Sequence, residues 1–323
     1  MAGVDRNNPK RAASSESKYS LMEFMREFPD DATCLDFLWR TRFAPDGEHA
    51  RCPKCETERT FKRYDNTIRR QVWNCTACGY CLYPTGGTIY HKSSTSLHLW
   101  FYAIYLMSST RGGVSAKALE RELGVTYKTA WRMMNLIRTH VMAQDEEPLT
   151  GDVEMDETYV GGKPRKREIA TERRKGLGPK QAGQAAARRK KTTVYGAVER
   201  GGRIRAEVVP DNTGGIAPRV HRFVLPAASI FTDEWVGYNK PGQAFNSHHR
   251  VNHAQAVYVD GDVHTNTIEG FWSLLKRGIG GTYHAVSAKY LQTYLNEYAW
   301  RYNHRDDDLG MFRAMLFRSA FPR

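Results

Sequence analysis

The chain has 323 residues, 41% hydrophobic and 11% aromatic, which is enough for two or three domains with ordinary cores and too apolar for a disordered polymer. Its 48 Lys and Arg against 35 Asp and Glu give a net charge of +13, favouring a polyanionic partner, with nucleic acid ahead of an anionic membrane surface. No run of about 18 apolar residues occurs and residues 1–18 lack the apolar stretch of a secretory signal, so neither a membrane span nor export is expected. A reducing cytoplasmic interior is expected instead, where paired cysteines more often hold metal than form disulfides.

Residues 1–18, rich in Ser, Ala, Lys and Arg, read as a flexible basic arm. Leu21, Phe24 and Met25, then Leu35, Phe37, Leu38 and Trp39, predict two short helices around Pro29. A cysteine-bearing segment follows. Cys52-Pro-Lys-Cys55 and Cys75-Thr-Ala-Cys78-Gly79 are two C-x-x-C knuckles at the spacing of a zinc ribbon. Four thiolates close a tetrahedral shell and leave no place for water, so the single Zn²⁺ expected here is structural. Cys78-Gly-Tyr-Cys81 is also a C-x-x-C, which leaves Cys81 as a rival ligand. Cys75 and Cys78 are preferred because they form the knuckle followed by glycine. Cys34 and Cys81 then read as small buried residues, and four reduced cysteines without metal are the bland alternative.

Residues 97–140 are apolar at helical spacing, broken near Arg111-Gly112-Gly113 and at Gly124. Helix 115–123, a turn at Gly124-Val125 and a second helix from 126 to 138, N-capped by Thr126, fit a helix-turn-helix. In that motif the second helix enters the major groove with its N-terminal residues. Tyr127, Lys128 and Arg132 would face DNA, while Ala130, Met133, Met134 and Ile137 face inward. The same pattern occurs in helical domains that bind nothing.

Beyond an acidic linker, 143–150, the period changes to that of strands: 153–160, 192–198 and 203–209. The last two are joined by Glu199-Arg-Gly-Gly202, a hairpin signal. Between the first and second lies a basic insert, 163–191, ending in Arg188, Arg189, Lys190 and Lys191, which reads as mobile until an anion binds. A helix at 216–225, a strand at 229–232, a loop-rich stretch holding His248, His249, His253 and His264, and a helix at 267–277 come next. A final helix carries Leu291, Tyr294, Leu295, Tyr298 and Tyr302 on related faces.

Three acids form a candidate set. Asp156 sits inside an apolar strand and Asp233 at the end of another, positions where a buried carboxylate is costly unless it coordinates or pairs. Strand-end aspartates are also usually just solvated. By analogy with an RNase H-like sheet, the two strands lie side by side and their aspartates converge. A third acid would come from the later helix. Glu269 is the candidate, although Asn266-Thr-Ile-Glu269 also fits a capping box. His264 either touches the reacting phosphate or is a satisfied structural histidine.

The stretches Met155-Asp-Glu-Thr-Tyr-Val-Gly-Gly-Lys163, Phe231-Thr-Asp-Glu-Trp-Val-Gly-Tyr238, His264-Thr-Asn-Thr-Ile-Glu-Gly-Phe-Trp-Ser-Leu-Leu-Lys-Arg277 and Tyr302-Asn-His-Arg305 resemble the insertion-sequence transposases of the family numbered fifteen-ninety-five. The likeness runs from about residue 19 to 305. It implies an α/β protein whose RNase H-like catalytic core, a mixed sheet flanked by helices, follows a zinc ribbon and a helical helix-turn-helix domain. The implied layout is an arm at 1–18, helices and ribbon at 19–92, helix-turn-helix at 93–142, catalytic domain at 151–305 and a tail at 306–323. The resemblance also implies a Mg²⁺-dependent (or Mn²⁺-dependent) DDE enzyme with two ions per site. It would cut the terminal inverted repeats of its element and join them to target DNA as a dimer or higher homo-oligomer on the bacterial nucleoid. Asp156 and Asp233 match the two aspartates. The spacing 269 − 233 = 36 matches the second-to-third acid interval, and Lys276, two helical turns beyond Glu269, matches the family's basic residue. Both Asn and Glu are known as the third ligand. Glu269 is preferred because an anionic oxygen suits Mg²⁺ better than an amide, with Asn266 orienting it, capping the helix or sharing coordination. A DNA-binding regulator or domesticated relic without cleavage, and an RNA-processing nuclease, are the competing functions.

Overall fold

The computed structural model describes residues 19–64, 72–110, 112–161, 164, 166–209, 215–251, 264–307 and 310–322, and for 188–190 the backbone alone. The expected arm at 1–18, His253 and the side chains of Arg188, Arg189 and Lys190 therefore lie outside the described residues. Contacts divide the chain into two units, residues 112–305 forming one and residues 1–111 with 306–323 the other.

The first unit opens with α1 (Leu21–Glu27), started by a capping box in which Ser20 and Glu23 exchange side-chain-to-amide hydrogen bonds. Asp30 caps α2 (Asp31–Arg42) by accepting from the Thr33 amide, so the two expected helices form on either side of Pro29. Strands β1 (His49–Arg51), β2 (Glu58–Tyr64), β3 (Val72–Cys75) and β4 (Cys81–Leu82) make an antiparallel sheet in sequential order. Trp39 of α2 stacks on Trp73 of β3 at 4.8 Å and 9°, tying helix to sheet. Helix α3 (Leu97–Ser109) buries Trp100, Phe101, Ile104 and Met107.

The second unit begins with α4 (Ala116–Leu123), ended by Gly124 in the left-handed region at φ +63°, and α5 (Tyr127–Leu136), capped by Thr126. Ala130, Met133, Met134 and Ile137 are all buried, as the helical spacing predicts. The helix runs on as a π-turn, Ile137–Val141. Arg138 in that turn is buried and donates to Glu297 at 2.7 Å, and Arg301 donates to the same carboxylate at 2.8 Å. Burial alone would raise the Glu297 carboxyl, but the two guanidinium charges hold it below its ordinary value.

A five-stranded sheet follows, built from β5 (Asp152–Val160), β6 (Thr192–Glu199), β7 (Ile204–Val209), β8 (Ser229–Thr232) and β9 (Ser247–Arg250) in the order β7-β6-β5-β8-β9. β5, β6 and β7 pair antiparallel, while β8 and β9 run parallel to β5. Between β5 and β6 stand α6 (Lys166–Arg173) and α7 (Pro179–Lys190). The basic insert, expected to be mobile, is thus a helical pair that buries Ala182, Ala186 and Glu172. Its alanines and straight-chain residues are strong helix formers, a preference the charge runs obscured.

Helix α8 (Ile216–Phe223) covers one face of the sheet, packing Val220 and Phe223 with Val153, Met155, Tyr195, Ile230 and Tyr238. After the short α9 (Asn239–Gly242), helices α10 (Asn266–Gly278) and α11 (Ala288–Asn303) cover the other face, where Ile268, Trp272, Leu275, Leu291 and Leu295 meet Val160, Val194 and Val198. The chain then returns to the first unit as α12 (Gly310–Ser319), which buries Phe312, Met315 and Leu316. The stretch expected to be a tail is a core helix there, with Phe312 stacked on Tyr19 at 4.6 Å. The boundary at 111/112 also falls inside the span 93–142 assigned to a single helical domain. No helix among the described residues is long and apolar enough to cross a membrane.

Candidate active site

Side chains alternate along β5, so Val153 and Met155 face α8 while Glu154 and Asp156 face α10. β5 and β8 are neighbours, with Glu154 registered opposite Phe231. Counting on two residues in that register brings Asp156 level with Asp233, just past the end of β8. Both are partly buried. The Asp233 carboxylate accepts from the Trp235 amide at 3.0 Å, a local turn that fixes its direction.

Helix α10 crosses this end of the sheet. Trp272 Nε1 donates to Asp156 Oδ2 at 2.9 Å. The indole lies so close to the sheet that a Cβ at Gly196, the β6 residue paired with Asp156, would stand 2.6 Å from it. Glycine is therefore required at 196 by a close approach. Glu269 is exposed one turn before Trp272, and its Oε1 accepts from Thr265 Oγ1 at 3.2 Å. Burial pushes the Asp156 carboxyl up to about 6, and the charges of Asp233 and Glu269 add to the rise, against hydrogen bonds from the Glu157 amide and Trp272. The three acids thus share one electrostatic neighbourhood. Carboxylate oxygens of this kind suit Mg²⁺ or Mn²⁺, but among the described residues the three acids do not bring ligand oxygens within 4.8 Å of one another as the cysteine quartet does its sulfurs.

Asn266 and Lys276 are exposed on the Glu269 side of α10, at helical intervals of three and seven residues from it. The capping box over 266–269 does not form. Thr265 is the N-cap, without a side-chain cap of its own, and the Thr267 and Ile268 amides are taken by Glu154 at 2.8 and 3.1 Å. His264 Nδ1 lies 3.1 Å from Glu154, a structural partnership. On β9, His248 bonds Thr232 at 2.9 Å and His249 stacks on Phe231 at 4.9 Å.

Glu157, overlooked in the sequence, points to the other face and accepts from the Tyr238 hydroxyl. Burial raises its carboxyl to about 8 from an ordinary 4.5, with the Asp156 and Asp233 charges contributing. A raised acid adds stability that is complete below its unfolded value and is lost as pH climbs through its folded one. Between pH 4.5 and 8 this loss runs at about 1.4 kcal/mol per pH unit. Glu157→Gln keeps the acceptor and removes the titration, so its unfolding free energy should exceed the parent's by about 4 kcal/mol at pH 8 and converge with it near pH 4. Thermal melts across that range check this, and a gap independent of pH would contradict it.

In the first unit, the thiols of Cys52, Cys55, Cys75 and Cys78 all lie within 4.8 Å of one another. Burial opposes ionisation of Cys75, but the Cys78 and Ala77 amides and neighbouring thiols outweigh it and lower the thiol to about 7. Four convergent sulfurs in two knuckles fit one tetrahedral zinc ion. Cys81 turns away to Asn74 Oδ1 at 3.2 Å, and Cys34 is buried. Tyr127, Lys128 and Arg132 are exposed on α5, and Lys191 is exposed after α7.

Residues 148–303 match the ISXO2-like transposase domain. An uncharacterized protein in transposable element ISH50 of Halobacterium salinarum is 30% identical over 258 residues, covering 77% of this chain and 84% of that one. An uncharacterized transposase-like protein of Haemophilus influenzae is 26% identical over 100 residues, 31% of this chain and 80% of that one. No solved structure matches the chain significantly.

Proposed function

This chain belongs to the ISXO2-like transposase family, and from that premise we propose that its second unit is an RNase H-like core that cuts and joins DNA, with Asp156, Asp233 and Glu269 holding two divalent cations. The supporting observation is the juxtaposition of strands β5 and β8, which sets two aspartates level beneath a helix whose Glu269 charge reaches Asp156. Such a pair of ions, when bound, supplies the Lewis acidity that activates an attacking hydroxyl and stabilises the leaving oxygen.

The protein's own residues do the rest. Trp272 fixes Asp156 Oδ2, which leaves the other oxygen for coordination. The Trp235 amide orients Asp233. Asn266 at the start of α10 orients Glu269 or shares its coordination, and Lys276, two turns along, holds a phosphate of the bound strand. Water as nucleophile gives a nick at the element's end, and a DNA 3′-hydroxyl in the same place gives strand transfer. The cysteine quartet holds a structural Zn²⁺. The exposed start of α5, with Tyr127, Lys128 and Arg132, enters the major groove of the terminal inverted repeat. The protein acts on the nucleoid as a dimer or larger homo-oligomer, since two ends must be joined to one target.

Incubating the purified protein with labelled duplexes carrying the element's terminal repeats tests this reading. Nicks at the repeat boundary are expected with Mg²⁺ or Mn²⁺ and none with chelator. Binding without divalent-dependent cleavage would assign the chain as a DNA-binding regulator, and preference for structured RNA would overturn the DNA assignment.

The basic end of α7 should contribute to affinity through phosphate contacts. Neutralising Arg188, Arg189, Lys190 and Lys191 together is expected to flatten the slope of log K against log salt by up to about 3.6, at about 0.9 per phosphate. An unchanged slope would make this run a solvated face.

A further inference from the structure

A buried carboxylate two residues before Asp156 has no place in the chemistry above. Glu154 is fully buried, and an interior charge persists only when its oxygens are satisfied. Here they are. Oε2 accepts from the Thr267 and Ile268 amides at 2.8 and 3.1 Å. Oε1 accepts from Thr267 Oγ1 at 3.0 Å and Arg200 Nε at 2.9 Å, with His264 Nδ1 at 3.1 Å. The amides are the free donors of the first turn of α10, which its own N-cap residue leaves unsatisfied. The carboxylate also meets the positive end of the helix dipole.

This arrangement links all three acids. Glu154 and Asp156 share one strand and one face, so the rigid spacing of β5 sets their separation. Arg200, which holds Glu154, spreads its guanidinium over Phe231 of β8 at 3.9 Å, two residues before Asp233. The helix turn that Glu154 grips carries Glu269. Trp272 pins the following turn to Asp156.

We propose that Glu154 is a positioning residue: by gripping the first turn of α10 it sets where the Glu269 carboxylate stands relative to Asp156 and Asp233. This inference rests on the reading of Glu269 as the third acid. Groups that hold a ligand in place act through geometry, and small displacements of a reacting group cost large factors in rate.

The test uses the full-length protein and Glu154→Gln, which keeps the shape but loses the charge and one acceptor. Without metal, hydrogen exchange of the 267 and 268 amides should accelerate by about tenfold or more while residues 271–275, packed on the sheet, keep their protection. With terminal-repeat DNA bound, the Mn²⁺ concentration for half-maximal cleavage should rise about tenfold at unchanged DNA affinity, and single-turnover cleavage should slow by about 10- to 100-fold. Thr267→Val, which removes one donor to Glu154 and disturbs packing less, should shift each reading in the same direction by a smaller factor. Unchanged exchange and unchanged Mn²⁺ dependence would overturn the proposal. So would loss of protection throughout α10 and β5 in Glu154→Gln together with wild-type Mn²⁺ dependence in Thr267→Val, because Glu154 would then serve the fold in general. Asp233→Ala separates the two levels. If it cleaves normally, the transposase site itself is misplaced, whereas if it is inactive and Glu154→Gln behaves as wild type, the positioning role alone fails.

Discussion

Replacing Asp156 with asparagine is expected to reduce strand cleavage by at least about 10³-fold, since a carboxylate ligand shared by catalytic cations accounts for several kcal/mol of transition-state stabilisation. Asparagine retains an oxygen for the Trp272 N–H, so the helix stays pinned. It also removes a carboxyl that burial and the Asp233 and Glu269 charges already push up to about 6. The variant should therefore be as heat-stable as the parent or slightly more so, and should bind terminal-repeat DNA with the same affinity. Single-turnover cleavage, thermal melts and filter binding read the three quantities. Retained cleavage would remove Asp156 from the site, and lost activity accompanied by lost stability would assign it to the fold.

Structural zinc binding is coupled to folding, with apparent free energies of about 10 kcal/mol or more at neutral pH. Among the described residues, Phe61 and Trp73 of the sheet β1–β4 pack against Trp39. Cys75→Ser should abolish the single equivalent of zinc and open residues 49–82 to proteolysis. Cys81→Ser should do neither, because that thiol bonds to Asn74. Metal content and limited proteolysis decide the matter. A protein indifferent to both chelator and Cys75→Ser would show that the quartet is a reduced thiol cluster.

What was legible in the sequence were features whose physics is local. Knuckles declare themselves by spacing, and Thr126 caps its helix where it stands. The alternation of β5 exposed Asp156 as an anomaly, and the apolar stripe of α5 named its buried residues. Features dependent on distant partners were not legible. Ser-His-His-Arg has no apolar alternation, yet it forms the edge strand β9 because β8 offers it a free ladder. The capping reading of Asn266 and Glu269 failed because a strand residue more than a hundred positions earlier supplies the acceptor. Glu154 and Glu157 look alike in sequence. Only the pleat, sending one towards α10 and the other towards Tyr238, makes one an ion-paired anchor and the other a raised acid.

The return of the chain as α12 has a consequence for biosynthesis. Phe312, Met315 and Leu316 complete the core of the ribbon-bearing unit, but they leave the ribosome after all of residues 112–305. Domains generally mature in order of emergence, and here that order is inverted. The segment made first waits, with its aromatic interior exposed, until the last helix arrives, so a nascent chain acquires its central unit before its N-terminal unit can close.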